Sequence, residues 1–144
     1  MKKKDQKNFT KELEFTNTTF VEVDTNKLQT RSYGTHGKRD KGILTINNLV
    51  YSTEKIKSIV AEQGTYMEDI IYLEGNITLD YKNGYKYKTE QAEYDSKHEI
   101  INITAPFIAT RSNNIIKGDT FTYNIRKKEG YGTIIDATIY TIKK

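Results

Sequence analysis

Residues 73–89 read LEGNITLDYKNGYKYKT. Leu73, Ile77, Leu79 and Tyr81 alternate with polar neighbours; a Lys-Asn-Gly turn follows, and Tyr85, Tyr87 and Thr89 resume the alternation. A period of two is the pattern of a half-buried strand, and a glycine turn between two such runs makes a hairpin. The same grammar predicts strands over Phe15–Val23, Ile43–Tyr51, Ile70–Tyr81, Tyr85–Tyr94, Glu99–Thr104, Phe107–Thr110, Ile115–Ile125 and Gly132–Ile142. Gly75 inside one of them predicts a bulge or bend. RSYGTHGKRDKG (31–42) is glycine-rich and charged, and predicts a loop or loose hairpin. In 52–63, Ser52 can cap a helix, Ile56, Ile59 and Val60 fall three and four apart, and Gly64 can end it, so a short helix competes with a strand there.

The chain also echoes itself. LEGN at 73–76 and IKGD at 116–119 stand 43 residues apart, as do Tyr51 in VYSTEK and Tyr94 in EYDSKH; Tyr123 in TYNIRK heads a third tyrosine–polar–basic run. Repetition of one strand-and-turn unit suggests stacked hairpins that build length.

Composition strengthens the β reading. Isoleucine, threonine and tyrosine number 18, 19 and 11, against 5 alanines and 6 leucines. Residues stiff or bulky at Cβ suit a pleated surface; alanine and leucine suit helices. The expectation is an all-β chain, with a single domain over 15–144. Residues 1–14, charged and aperiodic, are expected to be disordered. No apolar run approaches the roughly 18 residues that a membrane helix needs.

The chemistry-bearing residues are sparse. There is no cysteine, and His36 and His98 lack partners at ligand spacing, so neither a metal nor a cofactor is expected. Glu68 and Asp69 are adjacent, which in a strand sends them to opposite faces, and no serine sits in a nucleophile elbow. An enzyme is therefore the weaker reading. The net charge of +4 is spread over scattered lysines, with arginine only at 31, 39, 111 and 126, which argues against nucleic acid. What stands out is tyrosine on the strands, each bringing apolar area with a polar rim.

The ordered motifs of 61–123 resemble the LptC family of lipopolysaccharide export and its OstA/LptA-type relatives. They are Ala61; Leu73, Gly75, Asn76 and Ile77; Gly84; Thr89, Ala92, Tyr94 and Asp95; Thr104 and Pro106; Ile116 and Gly118; Phe121 and Tyr123. The resemblance implies an open, twisted antiparallel β-jellyroll whose interior holds the acyl chains of lipopolysaccharide. On this resemblance the groove is lined by Ile77, Leu79, Tyr81, Ala92, Tyr94, Ile101, Ile103, Phe121 and Tyr123. Phe20, Val21 and Val23 form an N-terminal edge for the inner-membrane transporter LptBFG. Thr138, Ile139, Tyr140 and Ile142 form a C-terminal edge for the bridge protein LptA. It further implies a periplasmic location with an N-terminal membrane anchor outside this sequence, and no hydrolysis by this chain. Glutamate at Ile77 or Phe121 is then expected to abolish lipopolysaccharide cross-linking without unfolding. An LptA-like bridge component, or an adhesin-like structural β-repeat with a dry core, are the alternatives.

Overall fold

A computed structural model describes residues 13–23, 29–82 and 84–140. Ten strands follow in chain order: β1 (Leu13–Val23), β2 (Gln29–Asp40), β3 (Ile43–Ser52), β4 (Ile56–Met67), β5 (Ile70–Tyr81), β6 (Lys86–Asp95), β7 (Ile100–Ile103), β8 (Phe107–Arg111), β9 (Asn114–Asn124) and β10 (Glu129–Thr138). Every pairing is antiparallel, in the order β1-β2-β3-β4-β5-β6-β7-β9-β10, with β8 also between β6 and β9. β7 and β8 are thus two halves of one strand, split at Thr104–Pro106, where proline cannot donate to a ladder. Among the described residues, β1 and β10 are the two open edges.

Two segments depart from the local reading of the sequence. The stretch 31–42 is mostly strand, because its glycines receive neighbouring side chains. A Cβ on Gly37 would lie 1.9 Å from the Phe15 ring, and one on Gly34 would lie 2.1 Å from Ile46 Cγ2. Cross-strand aromatic and aliphatic cover compensates for the missing side chains. The helix-like spacing of 52–63 is a bulge in disguise. A register shift between Ile56 and Ser58 puts Ile56 and Ile59 on the same buried face of β4, while Val60 points outward. At the N-terminus, Leu13 and Glu14 already belong to β1, and residues 1–12 lie outside the described residues.

A transverse crease organises the sheet. Pairing lapses at mid-length between every pair of neighbours: at Asn17 and Thr35, Asn48 and Glu62, Gly75–Asn76 and Glu90, Thr104–Pro106 and Asp119, and Ile135. Asn17, Asn48 and Asn76 have φ of 45°, 52° and 43°, and Gly75 has 85°. This is the left-handed region, which asparagine and glycine tolerate best. The crease satisfies its freed polar groups with side chains. Asn48 Nδ2 donates to Thr35 Oγ1 (2.9 Å), Asn76 Nδ2 to Glu62 Oε2 (2.6 Å), the Asn76 amide to Glu90 Oε1 (3.2 Å) and the Tyr33 hydroxyl to Asn17 Oδ1 (3.1 Å).

Folding along this crease lays the two halves of each strand against each other as two layers. Phe15 and Phe20 of β1, five residues apart, have ring centroids only 4.9 Å apart. On a straight strand five residues cover about 16 Å. Across the layers, Tyr51 of β3 meets Tyr94 of β6 (5.9 Å), Tyr81 of β5 meets Tyr123 of β9 (5.3 Å), and the Ser32 and Tyr66 hydroxyls are 2.8 Å apart. Between the layers lies one apolar cluster, including Ile46, Leu49, Ile59, Ile77, Leu79, Ile101 and Ile103.

Candidate functional site

The interior runs across the strands from β1 to β10 as a trough filled along its middle by its own side chains. The crease is its floor, and the strand-connecting turns are its lips. The residues that the sequence assigned to a groove converge here. Ile77, Leu79, Tyr81, Ala92, Tyr94, Ile101 and Ile103 all face inward, none more than 5% exposed, and Phe121 and Tyr123 pack beside them half-buried. The phenols of Tyr51, Tyr66, Tyr81 and Tyr94 stay protonated. Burial, then neighbouring carboxylate charge, pushes Tyr94 up to about 12; burial pushes Tyr66 up to about 12 against the Ser32 hydrogen bond. Burial raises Tyr51 and Tyr81 further.

The two ends of the trough differ. At the β1 end, Phe15 and Phe20 stand edge to face, with Phe15 over Gly37. At the β10 end the inward positions are small except for Ile134, which pairs with Gly118 and is 46% exposed. Cross-strand partners share a face, and Phe121 and Tyr123 pair with Gly132 and Gly130, while Ile116 pairs with Ala137. No large side chain of these three positions caps that end, which leaves Phe121 and Tyr123 half-exposed. The rest of β10 is exposed along its length, with Tyr131 71% and Ile135 66% accessible.

The mouth opposite the crease was missed by the sequence reading, which gave no role to its charges. Lys55, in the turn before β4, belongs to one lip; Glu99 and Arg126, in the turns after β6 and β9, belong to the other. Lys55 Nζ lies 3.1 Å from Glu99, and Arg126 Nε donates to Glu99 Oε2 at 2.6 Å. Arg126 Nη2 also donates to the Lys97 carbonyl (2.8 Å). Beside this bridge a cavity of about 480 Å³ opens over Tyr81, Tyr123 and Ile125, rimmed by Lys55, Lys82, Arg126 and Lys128. The signal was present in the echoes: VYSTEK and TYNIRK carry Lys55 and Arg126 just beyond Tyr51 and Tyr123, and Tyr94 in EYDSKH meets Tyr51.

Burial alone would raise the Glu99 carboxyl, but hydrogen bonds from Arg126 and Lys55, with their charges, hold it below its usual 4.5. A depressed folded value means that the bridge contributes stability fully above about pH 4.5 and loses it as pH falls through the folded value. Glu99→Gln is therefore expected to destabilise at pH 7 and to cost progressively less below pH 4.5, measured by urea unfolding at pH 7 and pH 3. A wild-type advantage that does not change with pH would show that the bridge adds nothing. Asp95 is likewise held low, first by its side-chain bond to His98 (2.8 Å), which orders the neighbouring turn.

The described residues among those assigned to partner edges lie on or beside the two outer strands. Phe20, Val21 and Val23 are exposed on β1; Thr138 ends β10, and Ile139 and Tyr140 extend past it, exposed. The Tyr140 amide donates to Asn114 Oδ1 (2.8 Å). Ile142 lies outside the described residues. Among the described residues no three histidine, cysteine or acidic side chains gather as metal ligands, and no helix is long and apolar enough to cross a membrane.

A single antiparallel sheet folded along a crease, with both edges free among the described residues, is an open β-jellyroll. The solved structure of LptH from Pseudomonas aeruginosa has this fold. It is described as the LptA-homologous periplasmic component of the conserved lipopolysaccharide transport device, and it matches with TM-score 0.62 over 90% of this chain and 95% of that one, at 10% identity. No protein-family profile and no curated protein matches the chain.

Proposed function

We propose that this chain is a lipid-carrying module that takes the acyl chains of lipopolysaccharide between its layers and passes them along a row of similar jellyrolls. The observation that carries this reading is the β10 end. Opposite Phe121 and Tyr123 the apolar interior finishes in Gly132 and Gly130, leaving both rings half-exposed, where a closed module would be capped by large side chains; Ile134, the large inward side chain of β10, lies farther along, opposite Gly118. The likeness to LptH supports it. Each methylene moved from water into such a trough is worth about 0.8 kcal/mol, so several acyl chains supply ample driving force.

In its finer form the proposal is an LptC-type role in the periplasm. Lipid arrives from LptBFG at the β1 edge and leaves to LptA at the β10 edge, each joined by strand addition. An LptA-like bridge role differs only in which neighbours meet the edges. One observation favours a second reading. Seven of the nine assigned lining side chains fill the interior themselves, as in a packed β-module that binds partners only through its edges. Displacement of a fluorescent fatty-acid probe separates the two. A lipid carrier binds the probe and releases it to lipopolysaccharide; a packed module binds neither.

A further inference from the structure

The mouth cavity combines features that the acyl-chain reading does not use. Its rim carries Lys55, Lys82, Arg126 and Lys128, against the carboxylates of Glu54 on the rim and Glu99 beside it. Lys55 and Arg126 are held by Glu99, and Lys82 Nζ donates to the Glu54 carbonyl. Tyr81 belongs to the floor, and its hydroxyl is buried beneath the cavity surface with no hydrogen-bond partner among the described residues. A buried donor left unpaired is costly, and a native fold rarely keeps one without use. Beside it, Tyr123 and Ile125 make the floor apolar and continuous with the trough.

We propose that this mouth is a binding site for the phosphate of an anionic amphiphile, with the chain entering the trough. The phosphate would sit among the lysines and Arg126 and accept from the Tyr81 hydroxyl once the ring turns it out of the floor. Arg126 offers a planar fork suited to phosphate oxygens, and lysines add point charge. Glu99 pairs with Lys55 and Arg126, and an entering phosphate competes with it for them. The neutral Tyr81 phenol is a donor at any ordinary pH, since burial raises it.

This inference rests on the lipid-carrying reading, and the test separates them. Dodecyl phosphate, dodecyl maltoside and inorganic phosphate, each below any micelle concentration, are titrated calorimetrically into the intact chain. Dodecyl phosphate is expected to bind at least about tenfold more tightly than dodecyl maltoside, and inorganic phosphate far more weakly than either. Lys82→Glu/Lys128→Glu is expected to abolish the phosphate advantage while maltoside still binds. Tyr81→Phe removes the unpaired hydroxyl. It is expected to raise the Tm of the ligand-free protein by about 3 °C and to weaken dodecyl phosphate by about fivefold. Stabilisation alone could follow from structure; the opposite signs of the two effects mark a ligand-binding hydroxyl. Equal affinity for the two amphiphiles, or dodecyl phosphate binding untouched by the charge reversals, overturns the phosphate site and leaves the lipid reading standing. Inorganic phosphate binding as tightly as dodecyl phosphate overturns it in favour of a free-phosphate site. If neither amphiphile binds, both fall.

Discussion

Phe121→Glu is expected to give a folded protein that no longer takes up lipopolysaccharide. The ring sits half-buried at the open end, 5.6 Å from Tyr87 and 5.7 Å from Phe107, opposite Gly132. A glutamate there can swing its carboxylate past the glycines to water, so the fold loses ring packing worth about 2 kcal/mol and little else. Inside the trough, however, it sets a charge in the path of the acyl chains, and burying a carboxylate against hydrocarbon costs several kcal/mol, roughly a hundredfold or more in affinity. Lipopolysaccharide binding and thermal unfolding by circular dichroism read the two effects separately; full binding by a folded variant would remove Phe121 from the path. Ile77 is not its equivalent, although the alternation alone treats them alike. At 1% exposure beside the crease, Ile77 has no route to solvent, and Ile77→Glu is expected to unfold the chain at the cost of more than about 4 kcal/mol.

The second large effect lies at the β10 edge. Deleting 138–144 removes Thr138, the last residue paired with β9, together with the exposed Ile139 and Tyr140. Strand addition draws its affinity from main-chain hydrogen bonds along an edge, with alternate side chains giving specificity. The shortened chain is expected to lose at least about tenfold in affinity for an LptA-type jellyroll, equal to about 1.4 kcal/mol, while fatty-acid binding is unchanged. Surface-bound LptA and the probe assay measure these in parallel. Unchanged LptA binding would move the contact to β1 or elsewhere; lost lipid binding would show that the tail shapes the trough.

Much of this architecture was legible because period two survives wherever one face of a strand is buried. β5 begins and ends where the alternation of 70–81 does, and β3, β6, β8 and β9 fall within a residue or two of their predicted bounds. β10 was less so, since its positions opposite Tyr123 and Phe121 are Gly130 and Gly132, which carry no hydrophobic signal. β2 was hidden for a related reason: Phe15 and Ile46, far away in sequence, supply the side chains that Gly37 and Gly34 lack. In β4 a bulge imitated helical spacing.

The crease shows most clearly how far local reading reaches. Gly75 announced it at one strand, and the LEGN/IKGD echo repeated it at Gly118, beside the pairing lapse of β9. Asn17 and Asn48, residues that strands disfavour, were its other visible marks. That these points align across the sheet is a property of register, which depends on pairing between strands. The inward-facing residues were legible because they are apolar and alternate. The lip charges were not, because Lys55, Glu99 and Arg126 come from three turns and meet only after the sheet has folded over.

The most direct test places a photoreactive benzoyl-phenylalanine at one position at a time and asks which positions cross-link to lipopolysaccharide. Phe121 and Tyr123 look into the trough; Tyr72 and Ile108 are exposed on the outer faces. Cross-links from the two inward positions and none from the two outward ones are expected if acyl chains travel between the layers. Cross-links from Tyr72 and Ile108 alone, or from none of the four in a protein that remains folded, would contradict it.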